Sequence, residues 1–331
     1  MDIKIAALID DQIEKLKKEL SSRSFNKVYM VGCGGGVAIF RHCEYVLRKI
    51  RPSFEYELIH AANLLVEQPV EVNEKALVIC YSLNGTMKEA VEALRWAKSR
   101  GAYVVGITRT PQTPFHTEPD FTFMFYREED YGHPYVTAAP VTLLVTYAVL
   151  EVLDGNKDFA HVRENLTRLD KVFDRARQVY VKEKGPEFVE RIKDAPMVYT
   201  VGGGLHFTCA YVLATCYLLE MQWINASPVD AAEFFHGPLE IVDKDSHFVV
   251  FRSASEYRLL EDRVLSFLDR FTRGTFVIDA EDFDLDEIDD DFRTLASFIA
   301  CDDLIGQMVT LLADARFHPI DTRRYYLKMD Y

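Results

Sequence analysis

The chain of 331 residues reads as an α/β protein of two tandem, similar domains, each a doubly wound parallel sheet flanked by helices. Three observations predict this. Short apolar runs alternate with amphipathic stretches of helical length, the pattern of parallel β-α-β units. The same order of elements occurs twice, at a nearly constant offset. Between the copies, Glu183-Lys184-Gly185-Pro186 breaks a long polar helix. The expected division is therefore 1–184, with an N-terminal helix, and 185–331, with a C-terminal tail that completes the site.

The elements follow in order. Residues 4–22 place apolar side chains at helical spacing among many Lys and Glu and predict a helix. Val28-Tyr29-Met30-Val31 is a short buried strand. It runs into Gly32-Cys33-Gly34-Gly35-Gly36 and a helical segment reaching about Arg48. Tyr56-Glu57-Leu58-Ile59 and Leu77-Val78-Ile79-Cys80 are the second and third strands. The third ends at Ser82 and leads into a helix from about Lys88 to Ser99. Tyr103-Val104-Val105-Gly106-Ile107 is a fourth strand and 121–125 a fifth.

The second copy repeats this order. Tyr199-Thr200-Val201-Gly202-Gly203-Gly204 echoes Tyr29-Met30-Val31-Gly32-Cys33-Gly34 at an offset of 170. Val249-Val250-Phe251-Arg252-Ser253 echoes Val78 to Ser82, and Gly274-Thr275-Phe276-Val277-Ile278 echoes Tyr103 to Ile107, both at 171. Three matches at a nearly constant spacing indicate an internal duplication. In sheets of this kind ligands bind beyond the carboxyl ends of the strands. That rule selects the loops 32–36, 82–87, 202–206 and 253–257.

Composition narrows the function. Hydrophobic residues make up 49 % and charged residues 27 %, a globular balance. The formal net charge of -14 disfavours a general nucleic-acid binder. It does not disfavour an anionic small ligand, which backbone N–H groups and hydroxyls can hold. No apolar run reaches the roughly 18 residues of a membrane span, and Met1-Asp2-Ile3-Lys4 lacks a signal pattern. The six cysteines form no CxxC pair and no zinc spacing, so free thiols, a reducing cytoplasmic setting and no metal or cofactor are expected.

Two groups of residues carry chemistry. Ser82-Leu83-Asn84-Gly85-Thr86 joins a strand to a helix. Its N–H groups, glycine and hydroxyls suit a phosphate at a helix N-terminus, or they cap the helix. The Gly34-Gly35-Gly36 turn is equally open in meaning. Val37 stands where a dinucleotide fingerprint needs glycine. The second copy's loop, Ser253-Ala254-Ser255-Glu256-Tyr257, lacks the glycine and sets Glu256 where phosphate would lie, so one phosphate site per chain is expected. Glu220 interrupts the apolar run Leu218-Leu219-Glu220-Met221-Gln222-Trp223, and His236 sits in the apolar turn Phe234-Phe235-His236-Gly237-Pro238. A buried acid is costly unless paired or functional. Each of the two is either a satisfied core polar group or an acid–base catalyst.

Glu220-Met221-Gln222-Trp223 followed sixteen residues later by His236-Gly237-Pro238, with Cys33-Gly34-Gly35 and the Ser82–Thr86 loop, resembles the sugar isomerase (SIS) family. The likeness spans nearly the whole chain. It is strongest to two-domain fructosamine 6-phosphate deglycases, which end much as Arg323-Arg324-Tyr325-Tyr326-Leu327-Lys328-Met329-Asp330-Tyr331 does. The chain departs from the family pattern at Gly36, Met87 and Asn225. The resemblance implies a phosphorylated sugar-amine substrate. It implies a phosphate and substrate site drawn from Cys33, Gly34, Gly35, Gly36, Ser82, Asn84, Gly85 and Thr86, and a catalytic set of Glu220, His236 and Lys328. Lys328 matches a lysine near the end of the isomerase half of glucosamine 6-phosphate synthase. By the same resemblance His236 opens the sugar ring and comes from a neighbouring subunit, so a homodimer or larger homo-oligomer is implied. Glu220 moves a proton from C1 to C2 through an enaminol, and water splits the imine into glucose 6-phosphate and an amine. A hexose 6-phosphate or aminosugar isomerase is the alternative enzyme. A non-catalytic sugar-phosphate sensor is the alternative outside enzymes. The single helix before residue 25 is too little for a helix-turn-helix module.

Overall fold

A computed structural model of the chain describes residues 3–326 and 328–329. It divides into two compact units, 1–167 and 168–331. The sequence placed the break at Glu183–Pro186. The difference is the segment 168–184, which packs within the second unit: Arg177 donates two hydrogen bonds to Asp303 Oδ2 at 3.0 and 2.9 Å, and Tyr180 Oη donates to Asp282 Oδ2 at 2.6 Å.

The first unit is built on a five-stranded, wholly parallel sheet. Its strands are β1 (Lys27–Gly32), β2 (Glu55–His60), β3 (Ala76–Tyr81), β4 (Tyr103–Thr108) and β5 (Phe121–Met124), in the order β2-β1-β3-β4-β5. Every residue of β3 and β4 is buried, which explains their unbroken apolar sequences: helices cover both faces of a central parallel strand. Val31, Val78, Cys80 and Val104 pack against Ala90, Leu94 and Ala97 of the helix Lys88–Ser99. Those helix positions recur at three and four residues and form one apolar stripe. The strand order switches sides between β1 and β3, and the loops 32–36 and 82–87 leave the sheet there. This is where such sheets take ligands.

The second unit repeats the plan with four strands. These are β6 (Val198–Gly202), β7 (Ala226–Asp230), β8 (His247–Arg252) and β9 (Gly274–Asp279), all parallel, in the order β7-β6-β8-β9. Two parallel sheets flanked by helices confirm the fold class read from the sequence. β7 was not foreseen. Its sequence, Ala226-Ser227-Pro228-Val229-Asp230, has a proline and one large apolar residue, and it lies at the sheet edge, where a strand tolerates a missing N–H. The core gathers Val201, Phe234, Phe248 and Val250 with Val264 and Leu268 of the helix Arg258–Phe271.

One helix, Arg293–Ala315, is by length and composition apolar enough to cross a bilayer, although the sequence scan expected no such run. Of its most apolar window 67 % is buried within the fold, as in the core helix of a globular domain.

Candidate active site

In the first unit the two expected loops emerge from neighbouring strands, β1 and β3. Gly34 has φ +51°, and a Cβ added there would meet no atom within 4 Å. Gly36 has less room: a Cβ would lie 3.3 Å from the Tyr81 ring and 3.4 Å from the Tyr81 carbonyl oxygen. That crowding accounts for glycine at position 36. Gly85 has φ +69°, and a Cβ would fall 2.2 Å from Thr113 Oγ1, so only glycine makes this turn. The buried Ser82 hydroxyl accepts from Gly85 N–H at 3.1 Å and holds the loop in shape.

The capping reading of this loop does not hold. Met87 is the residue that precedes the helix Lys88–Ser99, and no side chain caps it. Asn84 and Thr86 are exposed, and among the described residues their side chains make no hydrogen bond. The Cys33 thiol faces Glu89 Oε2 at 3.8 Å. Burial, then the Glu89 carboxylate, push it up to about 12, so it remains a neutral thiol near pH 7.

In the second unit the sequence suggested an acid inside a helix. The structure places Glu220 just past a π-helical segment, Val212–Leu219, with its N–H donating to Thr215 O at 3.3 Å. The wide turn ends the helix and leads through Gln222 to Trp223, which has φ +55°. Glu220 is partly buried and paired. Arg323 Nε donates to Glu220 Oε1 at 3.0 Å, and Arg323 Nη2 lies 2.9 Å from the same oxygen. Burial pushes the Glu220 carboxyl above its ordinary range, and the Arg323 guanidinium pulls against that shift.

The tail is stitched to this turn at several points. Arg316 Nη1 donates to Gln222 O at 2.6 Å, and Gln222 Nε2 donates to His318 O at 3.0 Å. The Arg324 guanidinium lies 4.0 Å from the Trp223 ring centroid, and His318 meets that ring edge-on. Lys328 Nζ donates to Arg323 O at 2.6 Å. The structure thus brings Glu220 and Lys328 together through Arg323, a residue the sequence reading quoted in the tail but gave no role. Its signal was two adjacent arginines five and four positions before Lys328. Leu327, Asp330 and Tyr331 lie outside the described residues.

His236 closes a 3-10 turn, Phe234–His236, before Gly237. Phe234 is buried, but His236 is exposed, contrary to the confined ring expected from its apolar neighbours. Phe234 fills the core and Phe235 packs against it beside Phe267, and the turn leaves His236 on the outside. Among the described residues the His236 ring makes no hydrogen bond or ion pair, with Glu220 or any other group.

The second unit's own loop pair is filled. Gly204 has φ +52°, and a Cβ there would fall 2.5 Å from the Tyr257 ring. Glu261 is fully buried and accepts from Gly203 N–H at 3.0 Å, Ser253 N–H at 2.6 Å and Ser253 Oγ at 2.9 Å. Burial pushes its carboxyl up, and the Ser253 and Gly203 donors oppose this. The sequence reading gave that position to Glu256, which is exposed. The missed signal was that Glu261 shares a helical stripe with Val264 and Leu268, both buried.

A model of the SIS domain matches residues 23–152, the span of the first sheet and its flanking helices. That span is similar to the SIS domain family. The whole chain is 29 % identical over 328 residues to fructosamine deglycase FrlB of Bacillus subtilis (strain 168), covering 98 % of each chain. It is 24 % identical over 271 residues to fructoselysine 6-phosphate deglycase of Escherichia coli (strain K12), covering 81 % of this chain and 77 % of that protein. A solved structure from Bacillus subtilis, put forward as a phosphosugar isomerase, superposes with a TM-score of 0.93 at 29 % identity over 98 % of both chains.

Proposed function

We propose that the chain is an enzyme that cleaves a phosphorylated fructosamine to glucose 6-phosphate and a free amine. The observation that carries this reading is Glu220: a partly buried carboxylate with one oxygen tied to Arg323, in a chain alignable end to end with a fructosamine deglycase. In the reaction Glu220 takes a proton from C1 of the opened sugar and returns one to C2. The double bond moves to C1 and nitrogen, and water adds to the imine and releases the amine. A carboxyl raised by burial and restrained by a guanidinium is suited to accepting and releasing a proton near neutral pH.

The sugar phosphate lies on the first unit's loops, Cys33–Gly36 and Ser82–Thr86. The open space at Gly34 and the uncapped helix after Met87 support this. Lys328, tied to Arg323, keeps the tail in place beside Glu220. His236 opens the sugar ring. Its exposure and lack of partners are consistent with service to a second copy of the chain, so that the working unit is a homo-oligomer.

The decisive assay offers a panel of fructosamine 6-phosphates beside fructose 6-phosphate and measures glucose 6-phosphate and free amine. Release of both products in equal amounts from a fructosamine is expected. Interconversion of hexose 6-phosphates without amine release would instead establish an isomerase. Mixing Glu220→Gln chains with His236→Asn chains, after dissociation and reassembly, should restore part of the activity that each lacks alone. No recovery would confine both groups to one chain.

A further inference from the structure

The second unit carries an arrangement that the proposed chemistry does not use. Gly203 follows β6 and Ser253 follows β8, two adjacent parallel strands. Their N–H groups converge beyond the carboxyl ends, at the point where chain order reverses in the sheet. Anions bind at this place in doubly wound folds. Three donors converge, two from the backbone and one from the Ser253 hydroxyl, and all three end on the two oxygens of Glu261, at 3.0, 2.6 and 2.9 Å. One oxygen takes Gly203 N–H and the other takes both Ser253 groups. Because both oxygens accept, the ionised carboxylate fits this set and an amide does not. Glu261 is fully buried, and it reaches the donors from the helix Arg258–Phe271, not from the loops that form the turn.

We infer that the turn between β6 and β8 is an oxyanion-binding site whose resident ligand is the chain's own Glu261 carboxylate, and that a free small oxyanion takes its place when that side chain is cut back. The three donors are placed for the two oxygens of a carboxylate, which formate reproduces. Tyr257, lying across Gly204, closes it from the loop side. The inference stands independently of the reaction proposed above.

The test uses the full chain with Glu261→Ala, and formate, formamide and inorganic phosphate as probes. In chloride buffer the variant should melt below the wild type, because two backbone N–H groups lose their acceptor and the Ser253 hydroxyl keeps only that of Ser255. Formate should then raise its Tm in a saturable way, by roughly 4 °C at a hundred times Kd. The wild type should show no matching rise, and neutral formamide should not act. Titration calorimetry should count one more phosphate per chain in the variant than in the wild type, whatever the wild-type count is. An equal response of variant and wild type to formate, or equal effects of formate and formamide, would overturn the inference. Should the alanine chain fail to fold, Glu261→Gln decides. Its amide still fills the space but sets an N–H against a donor, so it should melt below the wild type and ignore formate. A glutamine variant as stable as the wild type overturns the proposal.

Discussion

Gly34 and Gly204 occupy matching places in the two units and have nearly the same backbone, φ +51° and φ +52°. Each follows a strand whose last glycine is pressed against a carbonyl four residues on: an added Cβ would lie 2.4 Å from it at Gly32 and at Gly202 alike. Beyond that the two diverge. Space opens above Gly34, while the Tyr257 ring covers Gly204 and the Glu261 carboxylate takes the adjacent donors. The backbone of the turn is thus set by sterics that both copies keep. Whether the turn can receive a ligand is set by two side chains from outside it. A duplicated turn does not imply two open turns, and the unit with the filled turn is also the one that holds Glu220.

Four measurements can break or sharpen this division. The largest effect should come from Glu220→Gln, which should lower kcat by at least about 10²-fold, the usual scale for general acid–base groups, while leaving Tm close to wild type. Turnover near wild type would remove Glu220 from the chemistry and leave the second unit without an assigned part.

Gly204→Ala and Gly34→Ala form the next pair. Both force a side chain into a left-handed backbone, at about 1–2 kcal/mol. Only Gly204→Ala also collides with a ring, for roughly 1–3 kcal/mol more. Thermal melting should therefore show the larger loss at Gly204. Equal losses would mean that Tyr257 moves aside freely and that the second turn is less filled than its geometry indicates.

Ser82→Ala and Ser253→Ala test the same contrast through function. If the first loop holds the sugar phosphate, loss of the Ser82 hydroxyl removes a hydrogen bond to a charged group, roughly 1.5–3 kcal/mol, and KM should rise by about one order of magnitude or more. Ser253→Ala should leave KM unchanged and lower Tm, since its hydroxyl serves Glu261. An unchanged KM in the Ser82 variant would take the phosphate off that loop.

The smallest effect concerns pH. Burial raises the Glu220 carboxyl and Arg323 restrains it. Arg323→Met removes the restraint, so the proton should bind more tightly. The acidic limb of the kcat/KM profile should move to higher pH in the variant, with activity lost sooner as pH falls. A limb that stays in place would show that Arg323 only anchors the tail.

Much of this was legible in the sequence, for identifiable reasons. β3 and β4 announce themselves because a strand buried on both faces must be apolar throughout. The repeated Gly-x-Gly after β1 and β6 reports a steric demand local to a few residues. β7 escaped because an edge strand with Pro228 looks like a loop. The capping of Glu220 escaped for another reason: its partner lies 103 positions away, and nothing local to either residue names the other. Glu256 was preferred to Glu261 because adjacency in sequence is visible and a helical turn's reach across to a neighbouring loop is not. The apolar neighbours of His236 suggested burial, but Phe234 and Phe235 turn to the core and leave the histidine outside.

The long separation of Glu220 from Arg323 matters during synthesis. A ribosome adding about 5–20 residues per second needs roughly 5–20 s to travel from one to the other. For that interval the acid has no guanidinium to meet, and the turn that carries it can pack only around an unpaired carboxyl. A chain released before position 323 could complete both sheets, β1 to β9, which end at Asp279. It would lack the guanidinium that meets Glu220 and so leave that carboxyl unrestrained inside an otherwise complete pair of sheets.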